Sequence, residues 1–162
     1  TCSKHGGTYM GKFNSYSAAS GSATRYYRTS GFAVASSYSA VTLTFWMYHD
    51  TGYTSNADKI QAQVSSNGTT WTAVGSAINR YDGSTGWKQH TIDITAYKGT
   101  TVYLGFLATS AYGNNMYIDD VLVTGTTTGF AASQEEPLLE ALPLGEMPMA
   151  DGVPEPVEIE IQ

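Results

Sequence analysis

The run Ala40-Val-Thr-Leu-Thr-Phe-Trp-Met-Tyr48 alternates strictly between two sets of side chains. Successive residues of a strand point to opposite faces, so Val41, Leu43, Phe45 and Met47 share one side and Thr42, Thr44, Trp46 and Tyr48 the other. The same period of two returns in Lys59–Ser65, with Ile60, Ala62 and Val64 in phase, and in Thr101–Thr109, with Val102, Leu104, Phe106 and Ala108 in phase. Trp87–Ile94 brings Ile92 and Ile94 together, and Asn114–Thr124 is the last strong strand. Weaker strands are predicted around Tyr9–Phe13 and Arg25–Phe32. Asn67-Gly68 reads as a hairpin signal returning through Trp71–Val74. Further turns are marked by Asp50-Thr-Gly52, Asp82-Gly83, Lys98-Gly99 and Tyr112-Gly-Asn-Asn115. Strands at this spacing, with no helical period between them, predict an all-β sandwich.

Composition agrees. The chain has 17 Gly and 12 Tyr, with 14% charged residues, a mix that suits short strands and many turns. It is also common on extracellular surfaces. Charge is divided sharply. Residues 1–126 hold all eight Lys and Arg and six Asp, leaving +2, whereas residues 127–162 hold eight acids and no base. No compact basic patch is present, which argues against nucleic acid as a partner. The lone cysteine, Cys2, excludes an internal disulfide framework. No apolar run is long enough for a membrane-spanning helix. The abrupt start at Thr1, with no signal peptide, reads as a mature or cleaved N-terminus.

Two regions follow: a sandwich domain at 1–126 and an acidic, Pro-containing tail at 127–162. Thr126–Gly129 reads as a hinge. Leu138, Leu139 and Leu142 suggest one helical turn, bounded by prolines. The terminal stretch 155–162 reads as an amphipathic strand, with Val157, Ile159 and Ile161 alternating with Glu158, Glu160 and Gln162.

From Gly6 to Gly125 the sequence resembles the MAM-like, cleaved-adhesin and choice-of-anchor J group of extracellular jelly rolls. The residues that carry this are Tyr9-Met10, Phe45–Asp50, Asp58–Ser65, Asn67–Trp71, Trp87, Ile92–Tyr97, Gly105-Phe106 and Tyr117-Ile-Asp-Asp-Val121. The resemblance implies a secreted, non-catalytic jelly roll acting in adhesion, assembly or glycan contact, or as an accessory module of a secreted hydrolase or peptidase. Such domains begin with a strand that has no counterpart before Tyr9. Its loss would leave a sheet edge open to a neighbouring chain.

Candidate sites follow from parity and chemistry. In the last strand Met116, Ile118, Asp120 and Leu122 share parity, so Asp120 is expected to face the core beside Asp119. An inward carboxylate must be protonated, hydrogen-bonded or bound to metal. Calcium (Ca2+) fits the Asp119-Asp120 pair, as the resemblance also implies, and backbone amides at a β-bulge are the alternative. Asp50 and Asp58 bracket an oxygen-rich loop and form a second candidate metal site, or simply two turn formers. His49, in phase with Phe45 and Met47, is expected inside; His5, His49 and His90 lack metal-ligand spacing. Trp46 and Tyr48 offer an aromatic surface for a glycan or protein ligand. No nucleophile elbow, zinc-protease helix motif or phosphate loop occurs, and adjacent Asp119 and Asp120 point apart on a strand, so no enzyme is expected. The leading reading is self-association, with Val157, Ile159 and Ile161 adding a strand to a neighbour and extending into a filament.

Overall fold

The computed structural model describes residues 2–128 and the backbone of one further strand, at Gln134–Leu139. In chain order the elements are β1 (Gly11–Phe13), a 3-10 turn at Ser15–Ser17, β2 (Ala23–Tyr27), β3 (Phe32–Ala33), β4 (Ala40–His49), β5 (Lys59–Ser65), β6 (Thr72–Ala73) and β7 (Ile78–Asn79). Then come β8 (Gly86–Asp93), a 3-10 turn at Thr95–Tyr97, β9 (Thr101–Thr109), β10 (Met116–Thr127) and β11 (Gln134–Leu139). Every pairing is antiparallel. One sheet runs β10-β4-β8, with β1 and β11 sharing the outer edge of β10. The other is centred on β9-β5, with β2 and β3 along β9 and β6 and β7 along β5. The chain is an antiparallel β-sandwich.

The alternation in the sequence builds the interior directly. Val41, Leu43, Phe45 and Met47 of β4 are fully buried, as are Ile60 and Val64 of β5 and Val102, Leu104 and Phe106 of β9. Phe45 meets Phe106 edge-on at 4.9 Å between ring centroids, a contact that joins strands of different sheets. Asn67 caps its turn through its side-chain Oδ1, which accepts the amides of Thr69 and Thr70 at 2.9 and 2.8 Å, while Gly68 takes φ 75°.

The structure departs from the sequence reading in three places. The pairing of β10 with β4 shifts between Asp119 and Leu122, and Asp120 has φ 45°. This bulge inserts a residue and reverses parity, so Val121 and Val123 are buried whereas Leu122 and Asp120 are only half-buried. Asp120 therefore does not continue the inward row of Met116 and Ile118. Second, β10 extends through Thr127, so Thr126 and Thr127 are strand rather than hinge. Third, Leu138 and Leu139 belong to extended β11, not to a helical turn. Along the outer edge of β10, β1 covers Met116–Ile118 and β11 covers Val123–Thr127. The terminal segment with Val157, Ile159 and Ile161 lies outside the described residues. Among those that are described, no helix is long and apolar enough to cross a membrane.

Candidate functional site

Three loops meet at one end of the sandwich: the 3-10 turn after β1, the β4–β5 loop and the β9–β10 loop. Beneath them lies Arg80, whose side chain is fully buried. Its Nε donates to Asp58 Oδ2 at 3.0 Å. Nη1 donates to Asp50 Oδ1 at 2.7 Å and to the Asp50 carbonyl at 3.3 Å. Nη2 donates to the carbonyls of Tyr53 and Asn56 at 3.0 and 3.5 Å. All five guanidinium donors thus have acceptors, the condition under which a buried cation is tolerated.

Asp58 is equally enclosed, with no exposed surface. Its Oδ1 accepts the Ser15 hydroxyl at 2.5 Å and the amides of Ala111 and Gly113 at 2.7 and 3.2 Å. Burial by itself raises the Asp58 pKa. The hydrogen bonds from Ser15, Ala111, Arg80 and Gly113 outweigh it and hold the carboxyl below the usual range. Gly113 is required by this approach, since a Cβ there would overlap the Asp58 carboxylate. Asp50 Oδ1 also accepts the Gly52 amide at 2.8 Å and Asn114 Nδ2 at 2.9 Å. The carboxylates at the two ends of the oxygen-rich loop, Asp50 and Asp58, are joined by the Arg80 guanidinium.

Each loop carries one tyrosine directly above this floor. Tyr16 follows Ser15, and its amide donates to Asn115 Oδ1 at 3.1 Å. Tyr53 gives its carbonyl to Arg80. Tyr112 stands between the two amides that hold Asp58 and donates its own to Ser110 Oγ at 3.0 Å. Among the described residues these are the large hydrophobic side chains left exposed, at 53%, 50% and 60%. Tyr16 and Tyr53 meet at 6.0 Å with their planes 72° apart. The Tyr53 phenol is pushed above its ordinary value, first by the Tyr16 hydroxyl beside it and less by Tyr112. Tyr53 and Tyr112 also hold left-handed backbone, φ 51° and 61°, where a bulky residue is an outlier. Strain of this kind costs on the order of 1–3 kcal/mol per residue.

The other sequence-predicted residues lie elsewhere. Asp119 is buried, and its Oδ2 accepts the amides of His5 and Gly6 at 2.8 and 3.2 Å, while Oδ1 accepts the Asp120 amide at 2.9 Å. Asp120 instead pairs with His5 Nδ1 at 2.6 Å on the outer face. The N-terminal segment thereby lies across that face. The His5 ring stacks on Trp46 at 3.8 Å, and Trp87 Nε1 donates to the Ser3 carbonyl at 2.9 Å. Trp46 and Tyr48 are half-buried, Tyr48 against Trp87 and Tyr117. Burial pushes the half-enclosed Cys2 thiol up to about 11, so it is not an activated thiolate.

His49 is fully buried, in the phase expected. Its Nδ1 lies 3.0 Å from the Arg80 carbonyl and its Nε2 3.0 Å from His90 Nε2. A carbonyl only accepts, so Nδ1 of His49 carries the proton and His90 Nε2 donates to His49 Nε2. A proton added at His49 Nε2 would oblige His90 to carry its own on Nδ1. Burial lowers both imidazoles below their ordinary value; Asp82 and the Arg80 carbonyl partly oppose this at His49, and His49 lowers His90 further.

No protein-family model matches the chain, and no curated protein matches it. Sequence reasoning missed Arg80 and the three tyrosines. The available signal was Tyr53 and Tyr112 set among turn formers, in Thr51-Gly-Tyr-Thr-Ser-Asn56 and Ala111-Tyr-Gly-Asn114.

Two predictions follow from the floor. Arg80→Met leaves the Asp58 carboxylate buried and unpaired, and urea unfolding should show a loss of about 3–5 kcal/mol. Arg80→Lys should recover only part of it, because one ammonium cannot supply the planar fork to four residues. The second concerns pH. The unfolded chain protonates His49 and His90 first, near pH 6.5, because their folded-state values are lower. Stability should therefore fall as pH drops from about 7 through 6.5 toward 5, and His90→Gln should flatten that decline in urea midpoints. The Asp58 contribution has the other origin. It is present above about pH 4 and is lost only as pH falls through the lower folded-state value.

Proposed function

We propose that the chain is a non-catalytic, extracellular recognition and adhesion module of jelly-roll type, related to the MAM-like and choice-of-anchor J domains, that makes contact through the tyrosine-bearing loop end. The observation carrying this reading is the convergence of Tyr16, Tyr53 and Tyr112, all exposed, on loops tied to one buried Asp58–Arg80–Asp50 cluster. Aromatic side chains on fixed loops supply contact area at little entropic cost, and rigid placement limits what binding must order. Structural Ca2+ at Asp119 and Asp120 remains part of the proposal only as a surface ion beside His5, since the Asp119 oxygens already hold three amides.

The test displays the chain on beads and scores adhesion to surfaces coated with polysaccharides or with extracellular proteins. Replacing Tyr16, Tyr53 and Tyr112 together by Ser should cut adhesion by about tenfold or more while the melting temperature moves little, because the three rings are exposed. Equal adhesion by the variant would sink this reading.

Self-assembly is the second reading, favoured by one observation. Among the described residues β8 has a strand partner on one side only, β4, and presents eight residues of free edge. Strand addition by Val157–Ile161 of a neighbouring subunit would use that edge rather than β10. Deleting 154–162 should then reduce the sedimentation coefficient of the assembled material, and an unchanged value rejects it.

A further inference from the structure

The loop end also specifies what it can bind. The segments that carry the tyrosines, 14–22, 50–58 and 110–115, contain no Lys, Arg, His or Glu. Their two carboxylates are committed inward: Asp58 is sealed, and Asp50 Oδ1 is held by Arg80, Gly52 and Asn114. Arg80, the cation beneath the loops, is sealed with them, and the exposed Lys59 stands just beyond them on β5. A phosphate, sulfate or carboxylate ligand would find no exposed counter-charge on these loops, and a cationic one would find only the occupied Asp50.

What the loops do expose is aromatic and neutral. Tyr16 and Tyr53 form a corner, with ring planes 72° apart and centroids 6.0 Å from each other. Around it stand the exposed Ser17, Thr51, Thr54 and Ser55, together with Asn56 and Asn115. A flat ring with C–H groups on one side and hydroxyls around its rim fits such a corner: one tyrosine lies under the C–H face, the other closes the side, and hydroxyls and amides meet the rim.

Resting on the recognition role given to this surface above, we propose that its ligand is a neutral glycan, with one sugar ring seated in the angle between Tyr16 and Tyr53 and the chain continuing toward Tyr112. A peptide would use the same tyrosines but would also bring charged side chains and termini, for which these loops hold no partner. The backbone strain fits this use. Tyr53 and Tyr112 occupy a conformation that glycine adopts freely, so a ring is kept where it disfavours the fold.

Affinity electrophoresis in gels containing soluble neutral polysaccharides (mannan, xylan, a mixed-linkage β-glucan, galactan), with polygalacturonate and heparin as charged counterparts, tests this. Retardation is expected in at least one neutral gel and in neither charged one. It should be independent of salt, and Tyr53→Ser should weaken it about tenfold. Tyr53→Gly and Tyr112→Gly should lose retardation in the same way while keeping or raising the urea midpoint, which separates lost contact from lost fold. Absence of retardation in every neutral gel, or retardation only in the charged ones, overturns the glycan assignment. If bead adhesion to a protein-coated surface still depends on the tyrosines in that case, the recognition role stands and only the ligand class is wrong. If the Ser and Gly variants are retarded as strongly as the parent chain, the site itself is misassigned and both readings fall.

Discussion

The buried guanidinium of Arg80 is the contact on which one whole end of this sandwich depends. A charge without access to water is costly, and it persists only where every donor is matched. Here the acceptors are not a neighbouring strand but the turns themselves: the carbonyls of Asp50, Tyr53 and Asn56, and the carboxylates of Asp50 and Asp58. Asp58 in turn reaches the two other loops through Ser15, Ala111 and Gly113. Loops usually satisfy their polar groups with water and move accordingly. These spend theirs on a common ion cluster, which ties three segments distant in sequence to one another. Buried ion pairs add little net stability compared with apolar packing, but their geometry is demanding, and that demand is what positions the loops.

The opposite use of a carboxylate appears on the outer face of the first sheet. Asp119 also receives amides from a distant segment, His5 and Gly6, and so draws the N-terminal residues across the sheet. The bulge makes this possible. By inserting a residue between Asp119 and Leu122 it turns Asp120 outward to His5 and returns Val121 and Val123 to the core. The His5 ring then covers Trp46. An aromatic face that alternation alone leaves open is partly covered by a segment with no strand character of its own.

Legibility followed the range of the forces. Between Val41 and Ala108 the period of two was enough to name the core, because burial on a pleated sheet depends only on parity. Where the parity rule broke, at Asp120, the cause was one residue in left-handed backbone; the adjacent Asp119 and Asp120 carried that signal, as the β-bulge alternative, but not which of the two would turn outward. The Asp50–Asp58 loop was recognised as oxygen-rich and read as a metal site or as plain turn formers. The guanidinium that joins the two carboxylates was not read, because Arg80 lies 22 residues beyond Asp58, in a stretch with no hydrophobic period. Exposure of Tyr16, Tyr53 and Tyr112 is a tertiary property. The same residue type at Tyr26 is buried against Phe13, and local sequence does not separate the two outcomes.

Strain and ion cluster are two sides of one arrangement. Tyr53 can point its carbonyl at Arg80, and Ala111 and Gly113 can both point their amides at Asp58, only if the backbone between them turns sharply. At Tyr53 and Tyr112 that turn takes left-handed φ. Relaxing either residue toward an ordinary conformation would save on the order of 1–3 kcal/mol of local strain. It would also withdraw a partner from a buried charge, at a cost of comparable or larger size. The cluster therefore wins, and the tyrosine rings stay where the network puts them. A glycine at either position would satisfy the same backbone without strain. The stability of the fold thus accounts for the turns but not for the rings, and it is the rings that face outward.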